Sequence, residues 1–440
     1  MKIVQVPYCF YPDPAGGTEV YTCLLAKHLV RLGEEAVIAA PAEKEAVYRH
    51  EGLVVRRFGF AKKLSLDDLY GEGDAVAAAS FGRLLDEERP HLVHFQAFSP
   101  GVSLRALREA KKRNIRTVLT YQTPTVSCQR GSLMRWGRAV CDGKQRVHLC
   151  SQCTLHGLGL PLPAAFFLGG LPLPVSALFG KADLEGGVWT ALRMVELMKL
   201  RHETFQKFIA NVDQLVAIAE WVKSVLILNG VPAAKIALRH NGMENDVSGR
   251  GDFRGRLDDK DVLKLAFLGR MDPTKGLDIL IRAVRCLPHE KIHLDVFGVV
   301  QSQDMSYVDK MKKIAGGDGR IYFHDAIPHD QVVSRLQRYD FLAIPSRWME
   351  AWPTVILEAF AAGVPVIGTR QGGILEMVND GVDGILVNPT AEAWRDVLLK
   401  ACQNSEWRLK LRQGVTRPKD IRESAAEMKE LYSRLVFGQS

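Results

Sequence analysis

Short runs rich in β-branched and aromatic residues alternate with stretches of helical spacing along the whole chain. This alternation constrains the fold most, because it is typical of parallel sheets whose strands are joined by helices. In the first half the predicted strands are Ile3–Val6, Ala36–Ala40, Val54–Phe58, Leu92–Phe95, Thr117–Tyr121 and Gln214–Ile218. In the second half they are Leu263–Gly269, His293–Gly298, Ile321–His324, Phe341–Pro345, Pro365–Gly368 and Gly384–Val387. Each set is large enough for one doubly wound α/β sheet.

The chain length of 440 residues favours two or three domains. We predict one Rossmann-like domain over residues 1–241 and a second over residues 242–417, with the polar stretch up to Lys260 as a linker. Apolar residues recur at helical spacing after Pro418, which predicts a last helix within residues 418–440.

Charge and composition narrow the classes of ligand. The chain carries 58 Lys and Arg against 50 Asp and Glu, a net charge of +8 that suits phosphate-bearing ligands or an anionic membrane surface. The charges are dispersed and no RNA-binding signature is present, so we expect no nucleic-acid partner. The first residues, Met1 to Val6, are typical of a buried strand rather than a signal peptide, which favours a cytoplasmic location.

One long uncharged stretch runs from Gly157 to Gly180. Its length reaches that of a membrane span, but four prolines, at positions 161, 163, 172 and 174, argue against a helix. We therefore predict a loop or a broken hairpin, inside an insertion of the first domain at about residues 128–207. Two roles stay open: internal packing, or a surface that contacts a membrane or a lipid acceptor.

Two glutamates eight positions apart, Glu350 and Glu358, flank the start of a predicted helix over Val355–Ala362. Glu350 precedes the helix, and Glu358 lies inside it among apolar residues. A carboxylate in that setting is costly to bury unless a hydrogen-bond donor meets it. The alternative is an N-terminal helix charge together with a glutamate at the edge of the core, paired with a nearby arginine.

The first turn of the same helix is a predicted anion site. Pro353 suits the start of a helix, and the backbone amides of Thr354 and Val355 lie at the positive end of the helix dipole. A helix start suited to phosphate, beside a buried carboxylate suited to hydroxyls, indicates a sugar nucleotide as ligand.

Two cations five positions apart, Arg270 and Lys275, follow the first predicted strand of the second domain. Arginine supplies a bidentate fork and lysine a point charge, so both can converge on one diphosphate. Gly16 and Gly17 follow the first strand of the chain, where glycine lets the backbone approach a phosphate closely. Glu19 is either an acceptor contact or a solvated acid in the first helical turn.

These motifs resemble those of the retaining glycosyltransferases with the GT-B fold, and specifically of glycosyltransferase family 4 and its relatives. The family signature is Glu, seven residues, Glu, which Glu350 and Glu358 match, and Arg270 to Gly276 match its Gly-Arg-x4-Lys-Gly motif. The resemblance implies two Rossmann-like domains facing a cleft, with the final helix crossing back onto the first domain.

The resemblance also implies roles for single residues. Glu350 would lie against the donor sugar, and Glu358 would accept hydrogen bonds from the ribose hydroxyls. Arg270 and Lys275 would neutralise the leaving nucleoside diphosphate without a metal cofactor. Gly16 and Gly17 would contact the donor phosphate or the acceptor.

The chain departs from the family at Gln122, where many relatives have a histidine after the corresponding strand. Glutamine keeps hydrogen-bonding ability but cannot carry a charge near neutral pH. Gln122 is therefore a candidate catalytic residue. Its glutamine is either native tuning of the activity, a loss of activity or an introduced substitution. His94 also follows a strand, and it either lines the acceptor side of the cleft or packs in the core.

A second departure is a cluster of cysteines with the spacing C-x12-C-x8-C-x2-C, formed by Cys128, Cys141, Cys150 and Cys153. The last pair has the spacing of half a zinc knuckle, and the first pair could complete a tetrahedral structural zinc site. Unliganded thiols and disulfides remain alternatives.

Together these patterns predict a metal-independent retaining hexosyltransferase that uses a UDP-sugar or a GDP-sugar. The expected acceptor is a glycan or a lipid-linked saccharide of cell-surface polysaccharide synthesis, reached at the inner membrane face. The alternatives are a nucleotide-sugar epimerase, a phosphorylase on the same fold, or a protein that binds nucleotide sugar with weakened catalysis. The four matching residues Glu350, Glu358, Arg270 and Lys275 favour an enzyme.

Overall fold

The computed structural model describes residues 1–13, 16–180, 186–244, 262–299 and 305–438. Most of the predicted linker up to Lys260 lies outside these residues. Contacts within the chain divide it into two compact units. The first unit comprises Met1–Asn241 together with Ile421–Ser440, and the second comprises Gly242–Asp420.

The first unit is built on an eight-stranded sheet and a small two-stranded hairpin. Its strands are β1 (Lys2–Val6), β2 (Glu35–Ala42), β3 (Ala46–His50), β4 (Leu53–Gly59), β5 (Leu92–Phe95), β6 (Arg116–Tyr121), β7 (Met134–Arg135), β8 (Ala139–Val140), β9 (Gln214–Ala217) and β10 (Ile236–Leu238). The order in the main sheet is β10-β9-β6-β5-β1-β2-β4-β3, and every neighbouring pair is parallel except β3 with β4. The direction in which strands are added reverses between β1 and β5, as in doubly wound folds.

Ten helices surround that sheet in the described part of the first unit. They are α1 (Gly17–Arg31), α2 (Leu66–Tyr70), α3 (Ala75–Glu88), α4 (Leu104–Lys112), α5 (Val147–Gly157), α6 (Leu162–Gly169), α7 (Leu173–Gly180), α8 (Gly187–Asn211), α9 (Glu220–Leu228) and the last helix of the chain, α17 (Ile421–Phe437). α3 shows how such a helix starts, because the Asp74 carboxylate accepts hydrogen bonds from the amides of Val76 and Ala77. α17 belongs to the core of this unit, where Met428 and Tyr432 pack in one cluster with Leu25 of α1.

The prediction of a loop or broken hairpin between Gly157 and Gly180 is wrong, because this segment forms the helices α6 and α7. The prolines lie at the beginning of each helix: Pro161 is the N-cap of α6, and Pro163 and Pro174 are the second residues of α6 and α7. A first-turn residue does not need its N–H for an intrahelical bond, so proline is tolerated there. The prolines thus divide the segment into two short helices.

The second unit contains a six-stranded, fully parallel sheet among its described residues. Its strands are β11 (Leu263–Arg270), β12 (Ile292–Val299), β13 (Ile321–His324), β14 (Phe341–Ile344), β15 (Val366–Thr369) and β16 (Gly384–Val387). Its helices are α10 (Leu277–Arg285), α11 (Ser306–Ala315), α12 (Val332–Leu336), α13 (Thr354–Ala361), α14 (Gly372–Met377), α15 (Ala391–Gln403) and α16 (Ser405–Gly414). The strand order is β13-β12-β11-β14-β15-β16, so the reversal lies between β11 and β14.

The predicted α/β class with two parallel-sheet domains is confirmed. Both sheets are covered by helices, and their central strands have side chains buried on both faces, as in β5 and in the apolar run of β14. All twelve predicted strands are present, with ends shifted by at most a few residues. The sequence prediction missed four strands: β3, an edge strand with mostly exposed residues, β10, which has only three residues, and the two-residue strands β7 and β8.

Candidate active site

The candidate donor residues lie in loops that follow three neighbouring strands of the second unit. Arg270 ends β11 and Lys275 follows it, Glu350 follows β14, and the segment Gln371–Gly373 follows β15. Since parallel strands end at the same edge of a sheet, these loops meet at the carboxyl edge. The reversal of strand order falls between β11 and β14, which is where doubly wound sheets bind their ligands.

The Glu350 carboxylate is held by two side chains. Its Oε1 atom accepts a hydrogen bond from Lys275 Nζ at 2.6 Å and another from Ser346 Oγ at 2.7 Å. The side chain is 9 % exposed, whereas that of Lys275 is 18 % exposed. Burial alone would raise the pKa of Glu350, but the charge and hydrogen bonds of its neighbours, Lys275 above all, hold that pKa below its ordinary value. Glu350 is therefore an anion at neutral pH.

Both cations of the β11 loop lie beside Trp348. The Arg270 guanidinium carbon is 5.3 Å from the Trp348 ring centroid, and Lys275 Nζ is 4.9 Å from it. A cation over an aromatic face is stabilised by the ring quadrupole. The two charges that the sequence separates by five positions thus share one aromatic surface, where a diphosphate could bridge them. Sequence reasoning did not single out Trp348, although it stands two residues before Glu350.

Gly276 allows the Lys275 loop to approach β14 closely. Its φ angle is +68°, in the left-handed region, and a Cβ atom there would lie 2.0 Å from the Pro345 carbonyl oxygen. Arg347 ties the same loops together, since its amide donates to the Thr274 carbonyl at 2.7 Å and its guanidinium pairs with Asp278. The motif glycine is therefore required for the geometry around Lys275.

The loop after β15 supports Glu350 through the backbone. The Gln371 side-chain amide donates to the carbonyl oxygens of Ser346 and Trp348 at 3.0 and 3.1 Å. The Gly373 amide donates to the Glu350 carbonyl oxygen at 2.7 Å. These contacts fix the chain on both sides of Trp348.

Glu358 lies in α13, one residue beyond the first turn, and is 8 % exposed. Its carboxylate lies 3.5 Å from Nδ1 of the half-exposed His329, and not beside the arginine of the alternative reading. Burial raises the pKa of Glu358, although the nearby His329 partly opposes this. Thr354 and Val355 are the first two residues of α13, with Pro353 as the N-cap. Among the described residues no Lys or Arg forms an ion pair with this buried carboxylate, and a pair of ligand hydroxyls could satisfy such an acceptor.

In the first unit, Gly16 and Gly17 stand at the start of α1, as predicted from the glycine pair. Glu19 is the third residue of that helix, and its carboxylate turns back to accept a hydrogen bond from the Gly16 amide at 2.9 Å. It is 6 % exposed, so the expectation of a solvated acid is wrong. Burial is the largest contribution to the raised pKa of Glu19. The residue caps the helix that carries the glycine pair.

Gln122 and His94 belong to a buried polar chain in the first unit. The Gln122 amide donates to Gln96 Oε1 at 2.9 Å, and its oxygen accepts from Asn241 Nδ2 at 3.0 Å. His94 is fully buried, and its ring nitrogens lie 2.6 Å from Tyr432 Oη and 2.6 Å from Thr120 Oγ1. Burial lowers the pKa of His94 to about 3, so this imidazole is neutral. Of the two roles predicted for His94, the structure supports core packing.

The four clustered cysteines line one cavity of the first unit as free thiols. Within the described ranges, however, no three His, Cys, Asp or Glu side chains are arranged to hold a metal ion. Cys153 Sγ instead accepts from the Trp136 amide at 3.4 Å and lies 3.6 Å from Arg130. Burial, together with a smaller contribution from the other three cysteines, raises the pKa of Cys150 to about 11. The cavity thus brings the four thiols near one another without ligand geometry.

Two family models match the chain in the two units. The model described as Glycosyl transferase 4-like domain matches residues 16–164, and Glycosyl transferases group 1 matches residues 252–417. Together they cover well over half of the sequence and include every candidate donor residue of the second unit. The chain is a glycosyltransferase of the family-4-like, GT-B class.

Similar proteins agree with this assignment. The glycosyltransferase is 29 % identical over 413 residues to the D-inositol 3-phosphate glycosyltransferase of Mycobacterium tuberculosis, covering 90 % of this chain and 73 % of that protein. Sucrose-phosphate synthase of Thermosynechococcus elongatus has a TM-score of 0.67 at 17 % identity, with 100 % of both chains covered. Anabaena HepE, solved in complex with UDP, has a TM-score of 0.65 at 15 % identity, covering 99 % of this chain and 100 % of that one. At these identities the two solved structures establish the fold.

Proposed function

We propose that this glycosyltransferase moves a hexose from a nucleoside-diphosphate sugar to a hydroxyl acceptor with retention of anomeric configuration. The observation that carries the proposal is the cluster around Trp348, where Arg270 and Lys275 lie on one ring and Lys275 also holds the ionised Glu350. Fixed positive charge beside a fixed carboxylate suits a ligand with a diphosphate at one end and hydroxyls at the other.

Each donor residue then has a distinct role. Arg270 and Lys275 neutralise the diphosphate as it leaves, together with the start of α13 at Thr354 and Val355. Glu350 orients the donor sugar, and Glu358 accepts from the ribose hydroxyls of the nucleotide. Gly16 and Gly17 approach the donor phosphate or the acceptor. Because protein cations supply the charge, the proposed transfer requires no metal ion.

In the proposed reaction the acceptor hydroxyl attacks C1 of the sugar on the face that the diphosphate leaves. The C1–O bond to the diphosphate breaks, the bond to the acceptor oxygen forms, and a departing phosphate oxygen takes the hydroxyl proton. This route needs no protein base, which fits the presence of Gln122 where many relatives have histidine. A transfer assay with and without EDTA tests the metal independence, and NMR of the new glycosidic bond tests retention.

A glycan or lipid-linked saccharide of cell-surface polysaccharide synthesis is the proposed acceptor class. It is supported by the uncharged insertion of the first unit, whose helices α6 and α7 expose large apolar side chains. UDP-sugars come first among donors, since the similar HepE was solved with UDP.

Thermal shift with a panel of UDP-, GDP-, ADP- and dTDP-sugars, beside the free nucleotides, tests the donor site. We expect one nucleotide series to raise the melting temperature, and Arg270→Ala or Glu358→Ala to abolish the rise. Arg395→Ala is the matched control, because the Arg395 side chain on α15 is partly exposed and pairs with Asp396. If no nucleotide shifts the wild-type protein, the donor site proposed here is wrong. Binding without transfer to any acceptor would favour a protein with weakened catalysis.

A further inference from the structure

The helices α6 and α7 bury small residues and expose large apolar ones, which is the reverse of the usual pattern. Their buried residues are the small ones, Ala165, Gly169 and Ser176. Their most exposed apolar side chains are Phe167 at 73 % and Leu178 at 65 %. Phe166 and Val175 are also exposed. Two consecutive helices therefore present large apolar groups to solvent, which a folded chain does not do without a reason.

Close packing of the small residues fixes this orientation. A Cβ atom on Gly169 would lie 2.6 Å from the Gln152 backbone nitrogen of α5, so the helices can approach closely only with glycine there. Ser176 Oγ donates to the Leu192 carbonyl of α8 at 2.9 Å. Ala165 lies in a core cluster with Leu155 of α5 and other residues of α8. The small residues anchor α6 and α7 to the unit, and the large residues are left on the outer face.

The dimensions of the pair favour shallow insertion over crossing. Each helix has eight residues, or about 12 Å, against about 30 Å for the hydrocarbon core of a bilayer. In the described part of the chain no single helix has the length and apolar character of a membrane span, while α6 and α7 together have them but meet at a 90° bend. Helices of this length with outward phenylalanines can bury these side chains at the headgroup boundary without crossing the bilayer.

The charges in the segment that contains these helices favour an anionic membrane surface. Residues 157–180 contain no charged side chain, whereas the whole segment 128–180 contains five Lys and Arg and one acid, Asp142. Arg138 and Lys144 of this segment are exposed. Trp136 lies against Phe166 with ring centroids 5.0 Å apart, and tryptophan is enriched at membrane interfaces. Apolar groups bordered by cations complement a bilayer with anionic headgroups.

We propose that α6 and α7 form a docking surface for an anionic lipid bilayer, with Phe166, Phe167 and Leu178 inserted below the headgroups. The docking deepens the proposed function, because it would bring the glycosyltransferase to a lipid-linked acceptor. It does not depend on the donor site, since no residue of α6 or α7 has a role in the proposed binding of the donor.

Vesicle co-sedimentation tests the proposal with the full chain. Vesicles of phosphatidylcholine with roughly one third phosphatidylglycerol should pellet most of the wild-type protein, and pure phosphatidylcholine vesicles should pellet much less. The double variant Phe166→Ser/Phe167→Ser and the single variant Leu178→Ser should reduce the bound fraction at least fivefold. Phe437→Ser is the matched control, because Phe437 is 69 % exposed on α17, and it should bind like the wild type.

Three results would overturn the docking surface. They are no sedimentation of the wild type with anionic vesicles, variants of α6 and α7 that bind as well as the wild type, and a Phe437→Ser variant that loses as much binding as they do. Light scattering on the wild type and on Phe166→Ser/Phe167→Ser tests a fourth outcome. If the wild type is a dimer and the variant is a monomer, the face is a contact with a second copy of the chain and the membrane proposal is wrong. Nucleotide thermal shift on the same variants keeps the two proposals distinct. Failure of docking leaves that shift intact, and failure of the donor site leaves vesicle binding intact.

Discussion

At the scale of single residues, the two signature glutamates occupy opposite electrostatic settings. Glu350 is compensated by Lys275 and its pKa is lowered, whereas Glu358 is buried beside the half-exposed His329 and its pKa is raised. A buried carboxylate in the setting of Glu358 lowers the stability of the folded protein. The two residues should therefore respond in opposite ways to mutation and to pH.

Glu358→Gln should stabilise the free protein at neutral pH. Because the folded-state pKa of Glu358 is raised, the folded protein holds a proton that the unfolded chain has released, and stability falls as pH rises above about 4.3, the unfolded value. We expect a gain of about 1 kcal/mol at pH 7.5, or about 2–4 °C in melting temperature, that disappears toward pH 4. Thermal melts at the two pH values measure it, and the nucleotide-induced shift should be lost in the same variant. A variant less stable than wild type at pH 7.5 contradicts this reasoning.

Lys275→Met should destabilise the second unit, because it leaves the buried Glu350 carboxylate without its cation. Loss of one partner of a buried pair costs about 3 kcal/mol. Since the pKa of Glu350 is lowered, its contribution is present above the unfolded pKa and is lost as pH falls through the folded value. The difference between variant and wild type should therefore shrink below about pH 4. Urea unfolding measures it.

The double variant Lys275→Met/Glu350→Gln is the control for that experiment. It removes the charge as well as its partner, so it should be more stable than Lys275→Met alone. If the stability losses of the two single variants add up to the loss of the double variant, the 2.6 Å contact between Lys275 Nζ and Glu350 Oε1 contributes no coupling energy.

At the scale of elements, the loop between β11 and α10 depends on one glycine. Gly276→Ala should cost roughly 3–5 kcal/mol and abolish nucleotide binding, because the new Cβ would meet the Pro345 carbonyl oxygen at 2.0 Å. Gly317→Ala is the matched control, since Gly317 has a similar φ of +74° and no described atom within 4 Å of its Cβ position. We expect this control to lose only about 1–2 kcal/mol of stability, which is the cost of an alanine in the left-handed backbone region. Equal losses by urea unfolding would refute the steric explanation.

The cysteine segment before α6 is a second element with a testable ligand. We propose that zinc draws the four thiols of the cavity into tetrahedral geometry, which requires their side chains to turn from the arrangement described here. Elemental analysis should find about one zinc per chain, and Cys150→Ser/Cys153→Ser should lose it. Cys286→Ser is the control, because Cys286 is exposed in the other unit. Metal-free protein that takes up no zinc would leave these residues as plain thiols.

Elements differed in how well the sequence predicted them. Central strands such as β14 were predictable because burial on both faces favours a continuous apolar run. The helices α6 and α7 were not, because four prolines argue against one long helix and do not reveal two short ones that begin at those prolines. The site was predictable to the level of residue type and loop. The contact of Lys275 with Glu350 and the shared ring of Trp348 depend on how separate loops meet, which spacing along the chain does not specify.

At the scale of the whole molecule, the chain leaves the first unit at Asn241, forms the second unit, and returns with α17. The buried polar chain of the first unit depends on this return, because Tyr432 Oη of α17 meets His94 Nδ1 at 2.6 Å and accepts from Gln5 Nε2 at 3.3 Å. The end of the sequence thus completes the core around β1 and β5. The first unit therefore cannot reach its full stability until the last helix has been added.

Tyr432→Phe should consequently weaken the first unit alone. It removes the two hydrogen bonds that link Tyr432 Oη to the fully buried His94 Nδ1 and Gln5 Nε2, which costs about 1–3 kcal/mol. Hydrogen exchange followed by mass spectrometry should show faster exchange in β1, β5 and α17, with unchanged protection in β11 to β16. Tyr322→Phe in the second unit is the control, because Tyr322 is 43 % exposed and its loss should change little. Equal deprotection of both units by Tyr432→Phe would mean that they unfold as one cooperative body, and the nucleotide-induced shift would then also fall in this variant.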